Sequence, residues 1–92
     1  MSRKKLSKIR RADPFFEREL ARYEFPLPSR EYVSQVLTEE GRPVEFGELT
    51  ELLDIANSER DMFQRRLGAM EREGQLMRNR KGAYILPERA SL

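Results

Sequence analysis

The sequence predicts a mainly α-helical fold with one small β-hairpin, and three observations predict it. Apolar residues recur at helical spacing in several separate stretches. Glycines and prolines cut those stretches into short pieces. The last stretch runs past Gly74 into two alternating segments around the turn-prone Asn79-Arg80-Lys81-Gly82. Two helices joined by a tight turn and followed by a basic hairpin are the order of a winged helix-turn-helix.

Each element has a local reason. Asp13-Pro14 is a helix start, because Asp accepts orphan N–H groups at an N-cap and Pro in the first turn loses nothing. Phe16, Leu20 and Tyr23 then share one face, and Phe25-Pro26-Leu27-Pro28 forces an extended connector. This short helix is expected to dock on the core, since exposed aromatic rings are costly to leave in water. Ser29 is the next N-cap, with Glu31 in the first turn and Val33, Val36 and Leu37 facing inward over roughly residues 30–40. Gly41 is its stop. Pro43-Val44 is short and extended. Phe46, Leu49, Leu52 and Leu53 line the following helix, whose weak points are the interior Gly47 and the poor cap Glu45 and whose other face is acidic. After a turn at 54–57, Ser58 is expected to cap the third core helix, with Asp61 completing a variant capping box and Phe63, Leu67 and Met70 as the buried stripe. Leu76, Tyr84 and Leu86 alternate as strand residues do, and Pro87 closes the last strand. Phe63 and Tyr84 are expected in the core, whereas Tyr32 is a candidate for exposure. The chain thus divides into a basic disordered arm (1–12), a short N-terminal helix with a proline-rich connector (13–28), a winged helix-turn-helix domain (29–89) and a tail (90–92).

Ninety-two residues suit one small domain with a modest core. With no Cys there is no disulfide framework and no thiol chemistry, and with no His the commonest general base is missing. No P-loop, GxGxxG, HExxH or CxxC pattern occurs. No cofactor or metal is expected, and Asp13, Glu17 and Glu24 have no recognisable catalytic partners. No apolar run approaches membrane length, and the basic N-terminus lacks an apolar h-region, so no membrane partner and a cytoplasmic setting are expected.

Charge distribution says more than the net +2. Arg3, Lys4, Lys5, Lys8, Arg10 and Arg11 put +6 into the first eleven residues, leaving −4 for the remainder. Within that remainder the acids concentrate between Glu39 and Asp54 and the arginines beyond Arg60. Segregation of this kind gives a domain a cationic side. Three groups of candidate nucleic-acid contacts follow. Arg78, Arg80 and Lys81 cluster on a projecting turn that can track phosphates; the rival reading is a solubilising hairpin. Gln64, Arg65, Arg66 and Arg72 lie off the apolar stripe of the third core helix, where Arg forks suit phosphate oxygens and base edges. There the rival is a solvated face paired with Asp61, Glu71 and Glu73. The basic arm supplies the remaining six.

Residues 13–89 resemble the N-terminal winged-helix region of the ribonuclease R family of RNB-type 3′→5′ exoribonucleases. Tyr23-Glu24-Phe25-Pro26-Leu27-Pro28-Ser29-Arg30-Glu31-Tyr32-Val33 is similar to the family's Tyr-x-x-Pro-Ile-Pro-Ser-Arg-Glu approach to the first core helix. The run from Arg65 to Leu76 is similar to its Arg-rich third helix ending in Met-Glu-Arg-Asp-Gly-Gln-Leu. Tyr84-Ile85-Leu86-Pro87-Glu88-Arg89 is similar to the exit toward its cold-shock domains. Two departures stand out: Gly68 occupies a position where the family often has Arg or a similar residue, and the basic arm lies outside the common pattern. The resemblance implies a fragment that contacts RNA and helps handle structured RNA. Hydrolysis would belong to a parent exoribonuclease whose remaining domains, catalytic RNB domain included, are its partners. The expectation is a monomeric RNA-binding accessory domain, not itself an enzyme. The alternatives are a DNA-binding transcription regulator, which would need a dimer to read two half-sites, and a protein-interaction winged helix using the acidic face or the Phe16/Leu20/Tyr23 stripe.

Overall fold

The computed structural model describes residues 8–21 and 26–89. In chain order they form α1 (Lys8–Arg11), α2 (Phe16–Leu20), α3 (Arg30–Glu40), α4 (Phe46–Leu52), a 3-10 turn (Asn57–Glu59), α5 (Arg60–Arg72), β1 (Met77–Arg78), β2 (Tyr84–Ile85) and a closing 3-10 turn (Pro87–Arg89). The fold is mostly helical with a small antiparallel sheet in which Met77 pairs with Ile85 and Arg78 with Tyr84.

The core is where the apolar periodicity places it. Val33, Val36 and Leu37 of α3, Leu49 of α4, and Phe63, Leu67 and Met70 of α5 meet over Leu53, Leu76, Tyr84 and Leu86. The hairpin is stitched into this core through its inner strand. Val44 N–H donates to Tyr84 O (2.9 Å) and Tyr84 N–H donates to Val44 O (2.8 Å), so the extended Pro43-Val44 piece lies beside β2 as a one-residue third strand.

The caps of α3 follow the expectation. Ser29 Oγ accepts from Tyr32 N–H, and Gly41 closes the helix at φ +67. Glu45 makes no side-chain cap, as its residue type implies. At the end of α4, Asp54 takes the left-handed conformation (φ 54), and Ile55 N–H returns to Thr50 O at 2.8 Å. A short polar side chain tolerates this better than most residues, though less well than glycine.

The start of α5 differs from the expectation. Ser58 does not cap it; residues 57–59 form a 3-10 turn instead, and Glu59 reaches back to accept from Ala56 N–H at 2.9 Å. The carboxylate of Glu59 serves both this backbone group and Arg10, which fixes the turn one residue later than Ser58 would.

Residues 8–21 also differ. Lys8–Arg11, expected within a disordered arm, form a helical turn, and Arg10 is 4% exposed. Several polar ties hold this segment to the remainder of the fold, among them the bond of Arg18 to Glu31 (3.0 Å). Asp13 accepts from the Ser29 N–H (2.6 Å) and Ser29 Oγ (2.7 Å), and its Oδ1 also accepts from Phe15 N–H (2.9 Å). Tyr32, expected to be a candidate for exposure, is buried, and its hydroxyl donates to Ile9 O at 2.7 Å. Glu19 sits 3.5 Å from Arg66. Arg10 bonds Glu59 from the far side of the turn before α5. The Phe16/Leu20/Tyr23 stripe does not dock as a unit: Phe16 is half-buried, Leu20 is 45% exposed, and Tyr23 lies outside the described residues. The segment is held by polar bonds that the apolar pattern does not reveal. The tail at 90–92 also lies outside the described residues.

Candidate nucleic-acid interface

Because α5 buries Phe63, Leu67 and Met70, its opposite face must carry Asp61, Gln64, Arg65, Gly68 and Arg72. These five residues line a shallow groove of about 350 Å³. Arg65 lies 3.7 Å from Asp61, but both side chains are more than three-quarters exposed, so the pair is weak and leaves the guanidinium available. Gly68 opens the groove. A Cβ there would meet only Arg72 Nη1 at 3.6 Å, an ordinary contact, and its φ is not positive. Gly68→Ala is therefore expected to stabilise the chain by about 0.5–1 kcal/mol, the usual helix-interior difference. A thermal melt checks this; a lowered midpoint would mean the notch is needed for packing.

Arg66, expected on the same binding face, is turned inward. It donates to Pro28 O at 2.9 Å, faces Glu19 and is 20% exposed, so it braces the connector rather than presenting a free cation.

The hairpin tip is built by one side chain. Asn79 Oδ1 accepts from both Lys81 N–H and Ala83 N–H (each 2.9 Å), while Gly82 takes φ +85 and bonds Asn79 O. This Asx-type turn holds Arg80 and Lys81 outward, both exposed and with no ion pair among the described residues. Arg78 behaves differently. Its Nε lies 3.2 Å from Glu71 of α5, and its guanidinium sits 5.7 Å from the Tyr84 ring centroid. Arg78, expected to join Arg80 and Lys81 on the projecting turn, is instead paired to α5, because the hairpin folds back over the last turns of that helix.

In the basic segment the structure separates residues that look alike in sequence. Lys8 and Arg11 are exposed, whereas Arg10 is an internal cation; Arg3, Lys4 and Lys5 lie outside the described residues. Other arginines are also engaged: Arg18 with Glu19 and Glu31, Arg30 with Glu73, and Arg42 with Glu40 and Glu48. Arg60 was not among the expected contacts. It is exposed at the first position of α5, with its guanidinium 5.3 Å from the Phe46 ring centroid. Its place at the head of a basic helix is the signal that could have marked it. Among the described residues no group of three or more acids is close enough to hold a metal ion, and no helix is long and apolar enough to cross a membrane.

What emerges is two cationic features, the outer face of α5 and the hairpin tip, each with groups suited to anionic oxygens. Comparison with known proteins gives consistent relatives. Ribonuclease R of Acidithiobacillus ferrooxidans is 49% identical over 72 residues, covering 78% of this chain and 16% of that protein. Ribonuclease R of Escherichia coli (strain K12) is 46% identical over 81 residues, covering 87% of this chain and 10% of that protein. Ribonuclease R of Vibrio parahaemolyticus is 43% identical over 81 residues with the same coverage. The resemblance to ribonuclease R drawn from three sequence motifs is therefore shown, and the chain spans about a tenth to a sixth of the length of these curated relatives. No family model matches the sequence, and no solved structure matches it significantly.

Proposed function

We propose that this chain is a winged helix-turn-helix module that binds RNA as an N-terminal accessory region of a ribonuclease R-type 3′→5′ exoribonuclease. In this reading α4 and α5 are the helix-turn-helix, β1 and β2 are the wing, and α5 is the helix that approaches the ligand. One observation carries it. Arg65, Arg72, Arg80 and Lys81 are displayed on α5 and the wing, while Arg10, Arg18, Arg30, Arg42 and Arg66 are engaged in ion pairs with acids elsewhere in the fold. Lys8 and Arg11 of α1 and Arg60 of α5 are exposed as well, and a fold that leaves such a set of cations displayed suits a polyanion. The name of the relatives, ribonuclease R, makes RNA the polyanion of choice.

The mechanism is electrostatic. Lys81 and Arg80 track the phosphate backbone, and Arg65, Arg72 and Gln64 meet the strand at the groove opened by Gly68, with Lys8, Arg11 and the arginine and lysines at 3–5 adding charge. The module acts as a monomer in the cytoplasm, without cofactor. Its partners are RNA and the remaining domains of the parent enzyme, which perform the hydrolysis.

The test is binding of labelled RNA and DNA of matched sequence at two salt concentrations, with Mg²⁺ present. The expected result is RNA binding that weakens steeply with salt, with the RNA recovered at full length. Equal or tighter binding to DNA would make the chain a DNA reader. Shortened RNA that persists after repurification would make it a nuclease in its own right.

A further inference from the structure

Arg10 is the least expected side chain in the molecule: a cation from a run of basic residues, 4% exposed, on a helical turn of four residues. Its guanidinium brackets the turn between α4 and α5. Nη1 donates to Glu59 Oε1 at 2.8 Å and to Asp54 O at 3.2 Å, and Nη2 donates to Glu59 Oε2 at 3.1 Å and to Pro26 O. Asp54 is the left-handed residue that ends α4, and Glu59 immediately precedes the first residue of α5. Both ends of the turn are thus held by one planar fork, a geometry that a lysine ammonium cannot reproduce. The hydroxyl of Tyr32 adds a second tie through Ile9 O. Lys8 and Arg11 flank Arg10 on the same helical turn and are exposed.

We infer that Arg10 is a positioning residue. It docks the basic N-terminal segment against the turn that leads into α5, so that Lys8 and Arg11 meet the same phosphate backbone as the α5 face. The inference rests on the RNA-binding reading above and adds to it: the segment is a fixed extension of the interface, not a free arm that collects phosphates on its own. Burial of a paired Arg at this point also explains why one basic residue of the run is withdrawn from the ligand. Its charge is committed to Glu59, and that bond sets where its two neighbours stand.

The experiment is a double-mutant cycle on the full chain, read by RNA affinity over a range of salt concentrations. Lys8→Ala/Arg11→Ala is made in the wild-type background and in Arg10→Met, with folding followed by circular dichroism. Docking predicts that Lys8→Ala/Arg11→Ala weakens binding in the wild-type background and lowers the slope of log K against log salt by about 0.7–0.9 for each phosphate no longer neutralised. In the Arg10→Met background the same pair of changes has little further effect. If Arg10→Met does not fold, Arg10→Lys keeps the charge but not the fork, and a reduced effect of Lys8→Ala/Arg11→Ala is expected there as well. An equal loss of affinity in both backgrounds would overturn the inference, because the segment would then act as a free arm. No loss in the wild-type background would overturn it too, because Lys8 and Arg11 would not touch the ligand. Failure of the wild-type chain to bind RNA at any salt is a separate result: it removes the RNA-binding reading and the inference with it.

Discussion

Replacing Phe63 with Ala is expected to destabilise the chain by about 3–5 kcal/mol. Phe63 is fully buried at the centre of the core, and its ring packs against Phe46 with centroids 6.0 Å apart. It lies one turn before Leu67 and two before Met70 on α5, so the cavity would open beneath the helix that displays Arg65 and Arg72. A domain of this size has only about 5–15 kcal/mol to lose, and each kcal/mol moves the melting midpoint by about 4–8 °C. Circular dichroism melts of Phe63→Ala beside Phe46→Ala test the claim. Phe46 is half-buried at the edge of the core, so its loss should cost less. If Phe63→Ala melted within a few degrees of the wild type, the core would not be centred on α5.

Changing Arg80 and Lys81 together to Ala is expected to weaken RNA binding and leave the fold intact. Both side chains are exposed, no ion pair among the described residues involves them, and Asn79 and Gly82 hold the turn without their help. An exposed charge contributes on the order of 0–1 kcal/mol to stability, so the melt should barely move. With two fewer phosphates neutralised, the salt slope should fall by about 1.4–1.8. Arg78 is left unchanged because removing it would strand Glu71, 3.2 Å away, and confuse weaker attraction with new repulsion. Unchanged affinity and slope in a folded variant would make the hairpin a solubilising feature and move the interface to α5.

Elements whose causes are local could be read from the sequence. The span of α3, its cap at Ser29, its stop at Gly41 and the stripe Phe63, Leu67, Met70 depend on neighbours a few residues apart. What escaped that reading depends on partners far along the chain. Nothing near Arg10 distinguishes it from Arg11; its fate is decided by Glu59, on the other side of the domain in sequence. Arg66 is likewise claimed by Pro28 and Glu19, and Tyr32 packs into the core with its hydroxyl donating to the carbonyl of Ile9. Of the candidate residues, Arg80, Lys81, Arg65, Arg72 and Gln64 are displayed as expected because they stand opposite an apolar stripe or on a turn tip. Local pattern tells which way a helix faces, but not which charges the fold uses for itself.

The surface ion pairs carry a consequence for protons. Arg18, Arg42 and Arg30 donate hydrogen bonds to Glu31, Glu48 and Glu73, and those bonds hold the three carboxyls below the ordinary glutamate range. Burial pushes the phenols of Tyr32 and Tyr84 above the ordinary tyrosine range. The lowered glutamates lend stability that is complete above their unfolded values and is lost only as pH falls through the folded ones. The raised tyrosines lend stability that is complete below their unfolded values and is lost only as pH rises through the folded ones. Every one of these shifts moves away from neutrality, and the chain has no His or Cys to titrate between them. With no side chain that titrates near neutrality in its ordinary state, the proposed RNA binding is expected to answer to ionic strength and hardly at all to acidity across the physiological range.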